Sequence, residues 1–348
     1  MSPALAATAA PTDTGFRHID HPAAWTSGEL GGAEGLIHRL SDVQVGAMRR
    51  LADALGERDV ATIGQADASD PEIVALMQAV RFELTRGKGA VVLSGLDVAG
   101  IDEEAFARLF WALGTHIGEG VVQSPKRDLI GRVEKRDDNP EQRGYQLDIE
   151  LGSHCDFHEF LALGCYRTAD SGGESGLVSA LAIHNEIART RPDLLEALYR
   201  GFPHQCATPD DRSAHDIPVF CERDGVVSCY NHRLFFVNAA RDSGRPVPPA
   251  LDEALQLFDS LARRPDFRAT FLMRPGEMVF WHNFVNLHSR SSFVDRPDHR
   301  RLLFRLWMHA RQGEGRPMME DFVTRARVMD RAHEDGRPGL IYRLDGLR

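Results

Sequence analysis

The sequence has no run of about 18 or more apolar residues, so no ordinary transmembrane helix is expected. It also lacks an excess of positive charge. Lys and Arg number 41 against 51 Asp and Glu, a formal net charge of −10. General affinity for nucleic acid or an anionic membrane is therefore not expected, although a local basic pocket is compatible with that balance. The five cysteines (Cys155, Cys165, Cys206, Cys221, Cys229) include no CxxC pair and are odd in number. Neither a zinc knuckle nor a complete disulfide framework is indicated, and a reducing, cytoplasmic setting is the simplest expectation. Residues 1–15, MSPALAATAAPTDTG, lack a basic start and a continuous apolar core, so they read as a flexible tail rather than a signal peptide.

What is present is the composition of a globular chain, 43% hydrophobic and 26% charged over 348 residues. Helices are expected from Ser41 to Leu55, from Asp70 (Asp-Pro-Glu cap) through Leu84, and from Asp102 to Leu113, with a buried strand at Ala90 to Leu93. The apolar faces of these helices would serve a core or a homodimer equally. Ala180 to Tyr199 reads as two short helices broken at Arg191-Pro192, and Pro249 to Arg263 as an amphipathic helix. The apolar pairs Val226-Val227 and Phe235-Phe236 suggest strands. After Ala310 the composition turns charged and Gly/Pro-dotted, with short Leu/Ile segments at the end.

The chemistry concentrates in LGSHCDFHEFLALGCYRTADSGGESGLVS, residues 151–179. If this stretch is extended, His154 and Asp156 project to one face while Cys155 points to the other. An imidazole and a carboxylate are two thirds of the facial triad that holds ferrous iron with open positions. The third candidate is His288. It lies in PGEMVFWHNFVNLHSRSSFVDRPDHRRLLFRLW, which reads as a hairpin with the histidine on one strand and Arg301 and Arg305 on the returning one. Alternation of Arg301, Leu303, Arg305 and Trp307 puts both arginines on one face, suited to capturing a carboxylate bound at the metal. His282 and Asn283 are candidates to orient the ligands.

Taken together, HxD, GGES, LHSR and RxxxR in that order resemble the taurine dioxygenase-like (TauD/TfdA) family of iron(II)- and 2-oxoglutarate-dependent oxygenases, over roughly Gly89 to Ala310. The resemblance implies that His154, Asp156 and His288 hold Fe(II), and that Arg301, assisted by Ser175, binds the far carboxylate of 2-oxoglutarate. Arg305 matches a family arginine found on either cosubstrate or substrate. The implied reaction spends O2 and 2-oxoglutarate to oxidise a C–H bond of a small molecule, releasing succinate and CO2. Hydroxylation is the default outcome, with desaturation, ring closure and demethylation open. The middle residue of HxD is commonly threonine in the family and here is Cys155. Retention of Asp156 argues against halogenation.

The implied fold is α+β, a double-stranded β-helix (jelly-roll) core flanked by helices. One domain over 16–348 is expected: a helical lead-in at 36–120, a core at about 121–310 with a helical insert at about 180–265, and an extension at 311–348. Gln146, Asp148 and Glu150 alternate toward His154, and if they line the pocket an amine-bearing substrate becomes plausible. Competing readings are fewer. An HxxxH zinc pair of His154 and His158 would need a helix where the pattern favours a strand. A nucleophile elbow at Ser175 fails because Leu177 stands where glycine is required. A metal-binding jelly roll without turnover, or a hydrolase using metal-bound water, would have no need of an arginine-serine cosubstrate pocket.

Overall fold

The computed structural model describes residues 15–137, 144–205 and 212–336. A short capped turn, α1 (Ser27–Leu30), and the edge strand β1 (Ile37–Arg39) lead into α2 (Asp42–Leu55), whose Ser41 cap and Gln44 satisfy each other's backbone N–H groups. Asp70 and Asp102 cap α3 (Pro71–Thr85) and α4 (Glu103–Gly114) through their carboxylates. Between these helices runs β2 (Ala90–Ser94). The chain continues through β3 (Glu119–Gly120), β4 (Gly131–Val133), β5 (Leu151–His154), β6 (Phe160–Arg167), β7 (Ser171–Gly172) and β8 (Ser175–Ser179).

The insert follows: α5 (Ala180–Thr190), α6 (Pro192–Arg200), the ribbon of β9 (Phe220–Arg223) and β10 (Val226–Cys229), α7 (Arg233–Ser243) and α8 (Pro249–Arg263). Phe235 and Phe236 are thus helical, contrary to the strand expected from their sequence. Leu234, Phe235, Phe236 and Ala239 are all buried, and a helix wetted on so little of its circumference shows no diagnostic period. The chain closes with β11 (Arg268–Phe271), β12 (Met278–His282), β13 (Asn286–Arg290), β14 (Phe293–Val294), β15 (Leu302–His309) and α9 (Glu320–Glu334). The Leu/Ile segments expected at the C-terminal end lie outside the described residues.

Two sheets face each other. The larger has the order β1-β2-β12-β6-β15-β3 with β4 also on β15, and the smaller the order β11-β8-β13-β5. Strands of the larger sheet bury both faces. Val279 and Trp281 of β12, Leu161 and Cys165 of β6, and Leu303 and Trp307 of β15 point into the space between the sheets. Their neighbours Met278, Phe280, Phe160, Ala162, Phe304 and Leu306 point outward onto α2, α3 and α4. This explains why these strands read as unbroken apolar runs, and it makes the helical lead-in the cover of the sheet's outer face. The architecture is the α+β jelly roll expected.

One supersecondary expectation fails. His288 and Arg301 do not lie on a hairpin, because β13 belongs to the smaller sheet and β15 to the larger. The intervening residues cross from one sheet to the other through β14, which pairs with β7. The histidine and the arginines consequently face each other across the barrel interior rather than side by side.

Candidate metal centre and its pocket

Strand pairing builds the centre. β13 runs antiparallel to β5 with His288 directly opposite His154, so the two rings lie side by side at 4.2 Å between centroids. Asp156 follows just beyond the end of β5. Its backbone is clamped by Asn283, whose Oδ1 accepts the Asp156 N–H at 3.1 Å and whose Nδ2 donates to the Asp156 carbonyl at 2.8 Å. Cys155, fully buried, points away into the core as alternation requires. The His282 Nε2 faces the Glu159 carboxylate, so of the two expected orienting residues only Asn283 touches the ligand segment.

Asp156 Oδ1 stands 3.6 Å from His154 Nε2, and Oδ2 stands 3.8 Å from His288 Nε2. These separations exceed a hydrogen bond and suit donors spaced around one ion with bonds of about 2 Å. His154 Nδ1 lies 2.8 Å from the Gly152 carbonyl, which fixes the proton there and leaves the Nε2 lone pair facing the carboxylate. Burial and then the neighbouring His154 push His288 down to about 3, so it is a neutral donor at neutral pH. Burial by itself would lift the Asp156 carboxyl. His288, His154, Arg305 and the Trp307 indole N–H together hold it below the ordinary carboxylate range. Imidazole nitrogens plus one carboxylate, partly open to a pocket, are the donor set of a ferrous site, and the residues fit that ion.

Among the described residues a second histidine-aspartate cluster lies behind this one. His158 Nε2 and His309 Nε2 approach the two oxygens of Asp330 on α9 at 2.7 and 2.6 Å. Those are hydrogen-bond distances, about 1 Å shorter than the spacing at the first cluster, and they tie both rings to Asp330. His158 does not join His154. Its ring stacks on Trp307, which donates its indole N–H to Asp156 Oδ2 at 2.8 Å.

The triad opens into a cavity of about 470 Å³ between the sheets. Arg301 and Arg305 enter it from the larger sheet and Ser175 from the smaller, all largely buried. The Arg305 guanidinium lies over the rings of Trp307 (3.8 Å) and Tyr145 (4.5 Å). Of the three residues expected to share the face of His154, Glu150 lines the cavity at its rim, whereas Asp148 is ion-paired with Lys135 at 2.7 Å and Gln146 is not part of the wall. His232, missed in the sequence because its segment read as strand, lies 5.1 Å from the His154 ring and is pushed down to about 3 by burial and that neighbour. Arg233 and Asp259, from α7 and α8, close the outer end.

Comparison with known proteins decides the family, since the model for the taurine catabolism dioxygenase TauD, TfdA family matches residues 50–307. The chain belongs to the TauD/TfdA family. This TauD/TfdA member is similar to FR-33289 synthase of Streptomyces rubellomurinus, 28% identical over 68% of this chain and 73% of that protein. It also resembles a taurine hydroxylase-like protein of Stachybotrys chartarum, 24% identical over 78% of this chain and 74% of the relative. Its fold matches a solved asparagine oxygenase in complex with Fe(II), hydroxyasparagine and succinate, with a TM-score of 0.65 at 16% identity, covering 80% of this chain and 98% of that one. The TauD/TfdA chain is therefore a non-haem iron dioxygenase dependent on 2-oxoglutarate, with Fe(II), 2-oxoglutarate and O2 as its requirements and a small molecule as its substrate. No described helix is long and apolar enough to cross a membrane.

Proposed function

We propose that His154, Asp156 and His288 hold Fe(II), that Arg301 and Ser175 receive the far carboxylate of 2-oxoglutarate, and that the enzyme hydroxylates an amino acid or amino-acid-derived intermediate. When bound, iron with 2-oxoglutarate supplies the oxidising power, and the chain's own residues determine which C–H bond meets it. Leu161, Leu163, Leu177 and Val279 provide dry walls around the triad. Their exclusion of water strengthens the hold of Arg301 on a carboxylate.

The observation that carries the substrate reading is the presence of opposite charges on the wall of one cavity. Arg305, buried over the Trp307 ring, lines the cavity together with Asp259 and the exposed Glu150. Burial raises the Asp259 carboxyl, and the Arg233 guanidinium at 3.0 Å opposes that rise. A cation and carboxylates in one largely apolar cavity match a molecule carrying a carboxylate and an amine. The asparagine oxygenase, and a non-heme iron oxygenase solved with hydroxy-L-Arg at a TM-score of 0.57, share the fold and bind molecules of that kind. The test is a panel of amino acids, N-acylated amino acids, organic acids and nucleotides, scored by succinate release and by a product heavier by one oxygen. Zwitterions should lead the panel, and Arg305→Leu should raise KM for substrate while leaving KM for 2-oxoglutarate near wild type. Turnover confined to dianionic phosphates, or a KM effect of Arg305→Leu on 2-oxoglutarate alone, would overturn the assignment.

A further inference from the structure

Two residues beyond His288, β13 carries another buried arginine that the metal centre does not use. Arg290 is 7% exposed and lines the cavity. Its Nη2 donates to the carbonyls of Leu147 and Ile149, each at 2.7 Å, in the segment before β5 that reaches the cavity at Ile149. Its Nε and Nη1 are buried with no hydrogen-bond partner among the described residues. Arg301, 3% exposed, has an equally unpartnered Nη1. The two guanidinium carbons lie 4.9 Å and 5.1 Å from the centroid of the same ring, that of Phe293.

Strand register brings in a third group. Arg290 is the direct antiparallel partner of Ser175, and His288 that of Leu177, so these four side chains share the face of the smaller sheet that looks into the cavity. Neither nearby carboxylate bonds the open guanidinium atoms: Asp148 accepts from Lys135, and Asp295 accepts the backbone N–H of Arg301 through Oδ1 while its Oδ2 has no partner. Two buried cations facing one cavity from opposite sheets repel, and each carries N–H groups with no protein partner. One carboxylate, with about four acceptor sites on its two oxygens, answers both deficits.

We propose that Arg290 is a second anchor for the far carboxylate of 2-oxoglutarate, shared with Arg301 and flanked by Ser175, and that its bonds to Leu147 and Ile149 couple the pocket rim to cosubstrate binding. The assignment rests on the 2-oxoglutarate reading given above. Ser175 then acts beside Arg290, its cross-strand neighbour, and Arg301 completes the grip from the opposite sheet. The remaining Arg290 donors keep hold of the rim, so filling the site stiffens residues 147–149.

The test is an anaerobic titration of the Fe(II)-loaded full chain with 2-oxoglutarate and, separately, with 2-oxopentanoate, which keeps the chelating oxo acid but lacks the far carboxylate. The visible chelate band reports both. Wild type should prefer 2-oxoglutarate strongly. Arg290→Gln should weaken 2-oxoglutarate by about ten- to a hundredfold and leave 2-oxopentanoate unchanged. Arg290→Lys, which retains charge and serves if the glutamine variant folds poorly, should recover part of the preference. Hydrogen exchange of residues 144–151 should slow on adding 2-oxoglutarate in wild type and not in Arg290→Gln. Equal weakening of both acids, or no weakening, would overturn the role of Arg290 while leaving the oxygenase reading intact. Absence of a band with either acid in wild type would remove both.

Discussion

Trp307→Phe isolates one hydrogen bond to Asp156, a proposed metal ligand. The indole N–H donates to Asp156 Oδ2 at 2.8 Å, while the ring stacks on His158 and lies under the Arg305 guanidinium. Phenylalanine keeps an aromatic surface in that stack and deletes the donor. A hydrogen bond to a buried carboxylate contributes about 1.5–3 kcal/mol, and loss of a group that orients a metal ligand typically lowers metal affinity ten- to a hundredfold. Iron should therefore bind about ten- to a hundredfold more weakly, measured by anaerobic competition against a coloured Fe(II) chelator. The smaller ring also leaves space and costs about 1–3 kcal/mol of stability, so a packing control is needed. Phe304→Leu provides it, because Phe304 lies on the same strand but faces the lead-in helices. An iron affinity within twofold of wild type in Trp307→Phe, with stability lowered as in Phe304→Leu, would show that the indole only fills space.

Other consequences follow from the same geometry. Asp330→Asn removes the charge that joins His158 and His309 to α9, and should cost about 3 kcal/mol by urea denaturation. Because the donors of that cluster are engaged in hydrogen bonds to one another, metal-free protein should take up one tight equivalent of Zn(II), not two. Burial lowers His184 from 6.5 to about 4, so the folded state binds fewer protons than the unfolded state between those values. Its contribution is complete above about pH 6.5 and is lost as pH falls toward 4, amounting to about 3 kcal/mol. His184→Gln should accordingly flatten the decline in urea midpoint between pH 7 and 5, and an unchanged slope would place the acid sensitivity elsewhere.

The sequence was most informative where one short motif determines one local geometry. His154 and Asp156 converge because they are two apart at the end of an extended segment, and the caps at Ser41, Asp70 and Asp102 specify helix starts through a single side-chain bond each. Alternation in Arg301, Leu303, Arg305 and Trp307 gave the correct shared face. It could not say which sheet that face belonged to. The assignment of β13 and β15 to different sheets depends on pairing with β5, β8 and β6, contacts more than a hundred residues apart that leave no local trace. The helix α9 was obscured for a related reason. Its inward face mixes Phe322, Ala326 and Met329 with Arg325 and His333, so the apolar stripe that would announce it is interrupted by the very polar residues that reach toward the centre. Arg290 was visible within LHSR, but its significance lies in two open N–H groups that only the packed structure reveals.

The most direct test of the central claim is anaerobic addition of Fe(II) and then 2-oxoglutarate to the purified chain, followed by its visible chelate band, in wild type, His288→Ala and Arg301→Ala. A band saturating at one iron per chain in wild type, lost in His288→Ala and shifted to higher 2-oxoglutarate concentration in Arg301→Ala, is the predicted result. An iron-loaded wild type that shows no band, or an Arg301→Ala titration that superimposes on wild type, would contradict the account.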